Sequence, residues 1–359
     1  MPPQFSISVP IGAYHPLLRD CLASLAMQNP SPNVALLDAS GDPRVAAVAD
    51  EFDHLIKYRR HGPDAGQTDA IIEGWREVEG DILGWLNADD ALYPGALQIA
   101  AAAFERDADL GVIYGHSVIV DDDFEVTGYH WAVAPPSEAL LYGDIISQPS
   151  CFFRRSLCDE VGGLNRDLHY TMDWDLWVRF WRAGAKFEYT EEVLSRVLWT
   201  KDAKTGGFGR ARRAELARII DMNDDPIRGL KSRIGFGLHY LFEYLMPASL
   251  AKPLRRALAP SSAEKCGLGR NGEIAEVAII QLTHYNAEPV RAVRATLESG
   301  AVRVDSDAQA DVRSVDDGVE LRLSTPLQPG KVFELSLKND GQTPAMLRSV
   351  ALLSAPHPR

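Results

Sequence analysis

The 359-residue chain holds only four cysteines, Cys21, Cys151, Cys158 and Cys266, scattered and without C-x-x-C spacing. That argues against a structural zinc site or a disulfide framework and fits a reducing cytoplasm. Positive charge is scarce too: 37 lysines and arginines face 50 aspartates and glutamates, for a net charge of −13. Such a chain lacks the electrostatic footprint of a nucleic-acid binder, so nucleic acid is not an expected partner, and an anionic substrate must be met by a local site or a metal. No run approaches the ~18 apolar residues of a membrane-spanning helix. Met1-Pro-Pro-Gln-Phe5 offers no basic segment ahead of an apolar one, so no signal peptide is expected. The expected location is the cytoplasm, with peripheral attachment to the inner face of the cytoplasmic membrane left open.

What is present points to an α/β domain followed by a smaller β module, since 359 residues exceed one ordinary core. Phe5 to Val9 reads as a strand running into Pro10-Ile11-Gly12-Ala13, and Leu17, Leu18, Cys21, Leu22 and Leu25 recur at helical spacing. Val34 to Leu37 is a second strand, ending at Asp38. A turn and a helix to about Phe52 follow, then a third strand at Leu55 to Tyr58. The unit is repeated βαβ. A loop, Gly62 to Gln67, opens a helix bearing Ala70, Ile71, Gly74, Trp75 and Val78. Then comes the stretch on which the chain is centred, Gly80-Asp-Ile-Leu-Gly-Trp-Leu-Asn-Ala-Asp-Asp90, a short apolar strand ending abruptly in two carboxylates. In open α/β sheets ligands gather at that strand end, and two hard oxygen donors there suit Mg²⁺ or Mn²⁺ on a diphosphate. The plainer alternative is that Asn87 to Asp90 cap a helix starting at Pro94.

Further on, Asp121-Asp122-Asp123 reads as a hairpin turn rather than a second metal site. Met172-Asp-Trp-Asp-Leu-Trp177 opens a helix on which Asp173 shares the inward face with Leu176, Trp177 and Phe180, leaving Asp175 as a first-turn acid facing solvent. Residues 226–265 interleave Arg and Lys with Phe, Tyr and Leu, a basic amphipathic pattern that suits a helical linker packed on the α/β domain or contact with a membrane surface. From Ile274, short apolar runs broken by Pro, Gly, Asn and Asp predict a small sandwich-like all-β domain, with Asn339-Asp340-Gly341 as a hairpin. The expected domains are residues 1–225, 226–273 and 274–359.

Over residues 5–205 the chain resembles the inverting family 2 glycosyltransferases with a GT-A fold, especially bacterial members acting on surface polysaccharides. The likeness rests on Ser8-Val9-Pro10, Asp38, Gly62 to Ala70, Gly80 to Asp90, Pro149 to Arg155, Val161 to Leu164 and Met172 to Trp177, in the family's order and spacing. It implies a nucleotide-diphosphate sugar as donor and a hydroxyl of a glycan or lipid-linked glycan as acceptor. Position by position, the resemblance implies that Pro10, Ile11 and Gly12 line the nucleotide pocket, Asp38 bonds the base and Gln67 lies near the base or phosphates. Asp89 and Asp90 look like the family's DXD motif, with Asp89 toward the ribose and Asp90 toward a Mn²⁺ or Mg²⁺ ion, and Asp173 falls where the catalytic base stands. The residues alone leave open Asp38 as a turn or helix-cap residue and Gln67 as an ordinary loop or helix-start residue.

Inverting transfer needs something to neutralise a departing diphosphate and a separate group to take the acceptor's proton, and this inventory has both. Two positions depart from the family pattern. Met172 stands where Glu often precedes the base, so a carboxylate is missing or supplied elsewhere, and Thr200, followed by Lys201 and Lys204, stands near a position where relatives carry His. A sugar nucleotidyltransferase would want a basic Gly-rich loop after the first strand, and an aspartyl phosphatase would want a second acid after Asp38. A processive synthase would carry spanning helices. The rival from a different class is a non-catalytic nucleotide-sugar or glycan-binding protein on a decayed transferase scaffold.

Overall fold

The computed structural model describes residues 3–93, 95–120, 126–130, 138–198, 209–222, 225–240, 273–283, 290–306, 309–327 and 332–353. Asp121 to Asp123, Pro94, Thr200, Lys201, Lys204 and residues 241–272 lie outside them. The described residues fall into two compact units, one drawn from Met1–Ser117, His130–Arg196 and Thr200–Pro247, the other from Val118–Tyr129, Val197–Trp199 and Ala248–Arg359.

The first unit begins as the expected alternation: β1 (Phe5–Ile11), α1 (Leu18–Ala26), β2 (Asn33–Asp38), α2 (Pro43–Glu51), β3 (Ile56–His61), α3 (Gln67–Glu77) and β4 (Ile82–Trp85). These four strands are parallel in the order β3-β2-β1-β4. The order reverses between β1 and β4, the switch point at which such sheets hold ligands. Every residue of β1 is buried, yet the strand alternates in size, because α3 lies very close above Ser6 and Ser8. A Cβ on Gly74 would come within 2.3 Å of Ser8 Oγ and 2.9 Å of Ala35 Cβ. Both serines instead donate to α3 backbone carbonyls or the residue that ends it, Ser8 to Ile71 at 3.0 Å and Ser6 to Val78 at 3.3 Å.

Beyond β4 come β5 (Ala91–Leu92), α4 (Ala96–Arg106), β6 (Leu110–Val120), β7 (Val126–His130), β8 (Cys151–Arg154), α5 (Arg155–Glu160), α6 (Met172–Arg182), β9 (Lys186–Leu198), α7 (Arg210–Asp221) and α8 (Pro226–Tyr240). They extend the sheet to β3-β2-β1-β4-β8-β6-β9-β5, with β7 on β6. Strand β8 is antiparallel to both β4 and β6, and β5 to β9. The α/β expectation holds, with a parallel half that positions the strand-end loops and an antiparallel half that closes the sheet around them.

Arg154 and Arg155 lie side by side where β8 ends, and each closes the C-terminal end of a different helix. Arg154 donates to Leu110 O at 2.7 Å and reaches Phe104 O and Asp107 O at the end of α4, while its guanidinium sits 5.1 Å from the Phe104 ring. Arg155 donates to Gly80 O (2.6 Å), Trp75 O (2.5 Å) and Val78 O (2.9 Å) at the end of α3. The last carbonyls of a helix have no partner within it, and a cation there also meets the negative end of the helix dipole.

In the second unit, β10 (Glu273–Ile274), β12 (Val290–Ser299), β14 (Ala310–Val315), β15 (Gly318–Leu327) and β17 (Ala345–Leu353) form a sheet in the order β10-β17-β12-β15-β14. Strands β11 (Val277–Thr283), β13 (Val302–Ser306) and β16 (Val332–Asn339) form another in the order β11-β16-β13. All pairings are antiparallel, and Ile274, Val293, Leu321, Leu335, Leu337 and Leu347 are buried. The all-β reading is right, but the hairpin at Asn339-Asp340-Gly341 is not. Strands β16 and β17 belong to different sheets, and Asn339 turns the chain between them by accepting from Gly341 N–H and donating to Ala275 O and Thr343 O, each at 3.0 Å.

Arg155→Ala should leave three carbonyls without their partner and lower stability by about 3 kcal/mol, on the scale of hydrogen bonds to a charged group. A drop in the urea midpoint with unchanged slope checks this.

Candidate active site

The strand-end loops of the parallel half bring most of the sequence-predicted residues to one edge. Pro10 and Ile11 complete buried β1, and Gly12 follows, exposed. A Cβ on Gly12 would meet nothing within 4 Å, so packing inside the protein does not require glycine there. Asp38, at the end of β2, is 2% exposed. Its Oδ1 accepts from the Ser40 N–H (2.8 Å) and hydroxyl (2.5 Å), and its Oδ2 lies 2.9 Å from His61 Nδ1 at the end of β3. Because an ionised carboxylate can only accept, Nδ1 of a neutral His61 carries the proton. Asp38 is therefore a turn residue that also orients a partly exposed imidazole which sequence reasoning missed.

The loop from Gly62 to Gly66 is held open by a charged brace. Arg60 forks onto both oxygens of Glu73 at 2.9 Å, reaches Asp64 at 2.9 Å and donates to Gly62 O, while Tyr58 donates to Glu73 at 2.9 Å. Asp64 accepts from Gly66 N–H at 2.9 Å. Gly66 has φ 126°, a backbone that L side chains rarely adopt, and it places Gln67 at the first turn of α3.

From there a chain of amides leads to the carboxylates. Gln67 Nε2 donates to Asn87 Oδ1 at 2.7 Å, and Asn87 Nδ2 donates to Asp90 Oδ2 at 3.2 Å. The helix-cap alternative for Asn87 to Asp90 fails, because α4 starts only at Ala96, with Gly95 at its N-cap, and Asp90 is followed at once by β5. Asp90 is 4% exposed and Asp89 partly exposed. Among the described residues, no hydrogen bond or ion pair engages the Asp89 carboxylate. Both acids make themselves felt at buried Cys21, whose thiol is pushed up by burial first and then by Asp90, Asp89 and Asp20, against Arg196.

Asp173 stands in the first turn of α6, partly exposed, with Oδ1 accepting from Trp174 N–H at 2.8 Å. Asp175 is not the solvent-facing acid the helical spacing suggests. It is buried and paired with Arg179 at 2.7 Å, and Arg179 in turn donates to Val161 O at 2.9 Å, so this acid serves the fold. Met172 is buried and accepts from Thr68 Oγ1 at 3.0 Å, fastening the start of α6 to the start of α3. A third group, absent from the sequence reading, shapes this turn. Glu215 of α7 is buried and accepts from the backbone of His169 (3.0 Å), Tyr170 (2.8 Å) and Thr171 (3.1 Å), and from the Thr171 hydroxyl (3.1 Å). The only sequence signal for it was an acid between apolar positions of a late helix.

Glu215→Gln should keep the fold but weaken those bonds by about 1.5 to 3 kcal/mol. Amide exchange at His169, Tyr170 and Thr171 should quicken by about 10- to 100-fold, readable by hydrogen-exchange NMR.

With this geometry in view, comparison with known proteins is informative. Residues 6–162 match the family model of glycosyl transferase family 2. The O-antigen biosynthesis protein RfbC of Myxococcus xanthus is 29% identical over 201 residues, covering 54% of this chain and 16% of its own length. An uncharacterized glycosyltransferase of Rickettsia typhi is 23% identical over 219 residues, covering 56% of this chain and 66% of its own. The chain therefore spans less than two thirds of either relative. S. aureus TarS 1-349, solved in complex with UDP-GlcNAc, superposes with a TM-score of 0.50 at 16% identity, covering 73% of this chain and 81% of that one. At that identity the likeness speaks for the fold alone, and the fold is the GT-A arrangement expected from the sequence. Residues 6–162, the part that carries the strand-end acids and loops, are therefore similar to glycosyl transferase family 2.

Proposed function

We propose that the protein is an inverting glycosyltransferase that moves a sugar from a nucleotide-diphosphate donor to a hydroxyl of a glycan or lipid-linked glycan in surface polysaccharide synthesis. The observation that carries this is the gathering of Gly12, Asp38, Gln67, Asp89 and Asp90 at the β1/β4 switch point, with Asp173 on a helix packed against β4. Gly12 leaves room for close approach of the nucleotide, Asp38 and His61 present the polar edge for the base, and Gln67 with Asn87 orients Asp90. The donor set suits a hard divalent cation: two adjacent carboxylates, one without a protein partner among the described residues. Asp89 and Asp90 would hold Mn²⁺ or Mg²⁺, a pattern suited to an ion that completes its shell with phosphate and water. Once bound, the ion supplies charge neutralisation for the departing diphosphate.

In this reading Asp173 takes the proton of the acceptor hydroxyl as its oxygen bonds to the anomeric carbon. The bond to the diphosphate oxygen breaks on the opposite face, its electron pair leaving with the diphosphate. Asp173 is suited to the task because it is partly exposed, ionisable and held on a rigid helix start, whereas Asp175 is committed to Arg179.

A membrane-facing acceptor is supported by α8. Ile227, Leu230, Ile234 and Leu238 recur at one face of this helix and are 53–68% exposed, while Phe236 on another face packs 5.5 Å from the Trp174 ring. With Arg228, Lys231 and Arg233 nearby, the helix suits peripheral contact with an anionic bilayer.

Asp90→Ala should abolish Mn²⁺-dependent binding of UDP or GDP in calorimetry while leaving thermal unfolding cooperative, and unchanged affinity would refute the assignment. Asp173→Asn should keep nucleotide affinity and slow turnover by about 10²-fold or more, with Asp175→Asn losing stability instead. Ile234→Glu should reduce co-sedimentation with phosphatidylglycerol vesicles, and equal sedimentation of variant and parent would remove the membrane contact.

A further inference from the structure

Asp38 stands at the strand edge proposed for the nucleotide, yet its carboxylate has almost no face left to offer one. The side chain is 2% exposed. Its Oδ1 takes both the N–H and the hydroxyl of Ser40, and its Oδ2 faces His61 Nδ1 at 2.9 Å. A carboxylate so enclosed holds its neighbours in place. The group beside it that can meet a ligand is the imidazole, whose side chain is 41% exposed.

The surroundings suit a flat ring. Ile11, Asp38 and His61 are register partners across the ends of β1, β2 and β3. Ala39 N–H donates to Ile11 O at 2.8 Å and Gly62 N–H to Asp38 O at 2.9 Å, which ties the strand ends together. The residues that follow are Gly12, Ala39 and Gly62, and a Cβ on either glycine would meet nothing within 4 Å. The rim above these strand ends is thus bare of bulky side chains, with the imidazole at its β3 side.

The ring is also fixed in one tautomer. An ionised carboxylate can only accept, so a neutral His61 carries its proton on Nδ1 and presents Nε2, on the far side of the ring, as an acceptor. Among the described residues, no hydrogen bond or ion pair engages Nε2. An acceptor here matches a ring N–H. Uracil and thymine carry one at N3 and guanine at N1, whereas cytosine N3 and adenine N1 would set a lone pair against a lone pair. A site built to bond a polar group rejects the analogue that lacks it, because its own group is then left unpaired.

We propose that His61 is a specificity-determining residue for the donor, its Nε2 accepting the ring N–H of a uracil, thymine or guanine nucleotide while Asp38 is the positioning residue that fixes the tautomer. This rests on the reading of this strand edge as the nucleotide site and names the class of base it takes. No covalent bond changes in it.

Calorimetry with Mn²⁺ at pH 8 tests this with UDP, dTDP, GDP, CDP and ADP. One of the first three should bind about 10-fold or more tightly than CDP and ADP, and which one it is separates the three sources of the ring N–H. For that nucleotide, methylation of the ring nitrogen (N3-methyl-UDP, N3-methyl-dTDP or N1-methyl-GDP) should weaken binding to the parent by about 10-fold. His61→Phe, which keeps a ring without the acceptor, should bind the unmethylated nucleotide about 3- to 10-fold more weakly, the scale of one hydrogen bond. In His61→Ala the methyl penalty should fall below about 2-fold. Were Asp38 to bond the base directly, that penalty would persist in His61→Ala, and its persistence would overturn the proposal, as would unchanged affinity in His61→Phe.

Asp38→Asn gives a readout that packing alone would not move. The Ser40 N–H still needs an oxygen, so the new amide turns its NH₂ toward His61 Nδ1 and the ring proton shifts to Nε2. Imidazole ¹⁵N NMR without nucleotide should show Nδ1–H in the parent and Nε2–H in Asp38→Asn, and the preference over CDP and ADP should shrink in the variant. The same tautomer in both proteins would refute the positioning role. If none of these nucleotides binds the parent with Mn²⁺, the reading of this edge as the nucleotide site fails and the proposal fails with it. Binding that His61→Phe leaves untouched strikes the role of His61 alone.

Discussion

The first unit depends on a stack of aromatic rings at its centre. Trp85, the last residue of β4, lies face to face with Trp177 of α6, with centroids 6.0 Å apart and planes 22° from parallel. Trp75 of α3 and Phe153 of β8 meet them edge-on at 5.5–5.7 Å, and Phe180 closes the group. Large rings bury much apolar area with few rotatable bonds and prefer offset or edge-on contacts, so the packing leaves little freedom. Two residues after Trp85 the chain reaches Asn87 and the carboxylates, and four residues before Trp177 stands Asp173. The two ends of the proposed chemistry are thus set by one rigid contact rather than by the loops that carry them.

Around that contact, the acids sort into two kinds. Asp175 has Arg179, Glu215 has three backbone N–H groups and a hydroxyl, and Asp38 has Ser40 and His61. Each is answered in full, as burial of charge demands, and each fixes a turn or a helix start. Asp89 differs: it is partly exposed and has no protein partner among the described residues. The functional reading of Asp89 rests on that difference, not on its being acidic.

Glycine tells a similar story at two places. Gly74 is demanded by the fold, since α3 could not otherwise lie on Ser8 and Ala35, whereas Gly12 has open space where its side chain would be. The same residue type thus marks helix-to-sheet contact in one position and access for a ligand in the other.

The sequence alone carried the parallel half, because each strand there is a short apolar run followed by a periodic helix, and it carried the identity of the strand-end acids, because an apolar run that stops at Asn-Ala-Asp-Asp has few local explanations. Its local rules went astray where the partner was distant. Asp175 looked solvent-facing by helical spacing; its partner Arg179 lies one turn along the same helix, but only tertiary packing buried the pair and supplied the Val161 carbonyl to Arg179. Asn339-Asp340-Gly341 looked like a hairpin, but strand pairing sent β16 and β17 into different sheets. Strand β8 has four residues and no period of its own, and it is a strand because β4 and β6 pair with it. Glu215 was invisible for the same reason: what makes it matter is a set of backbone groups more than forty residues away, and spacing along the chain does not report on that.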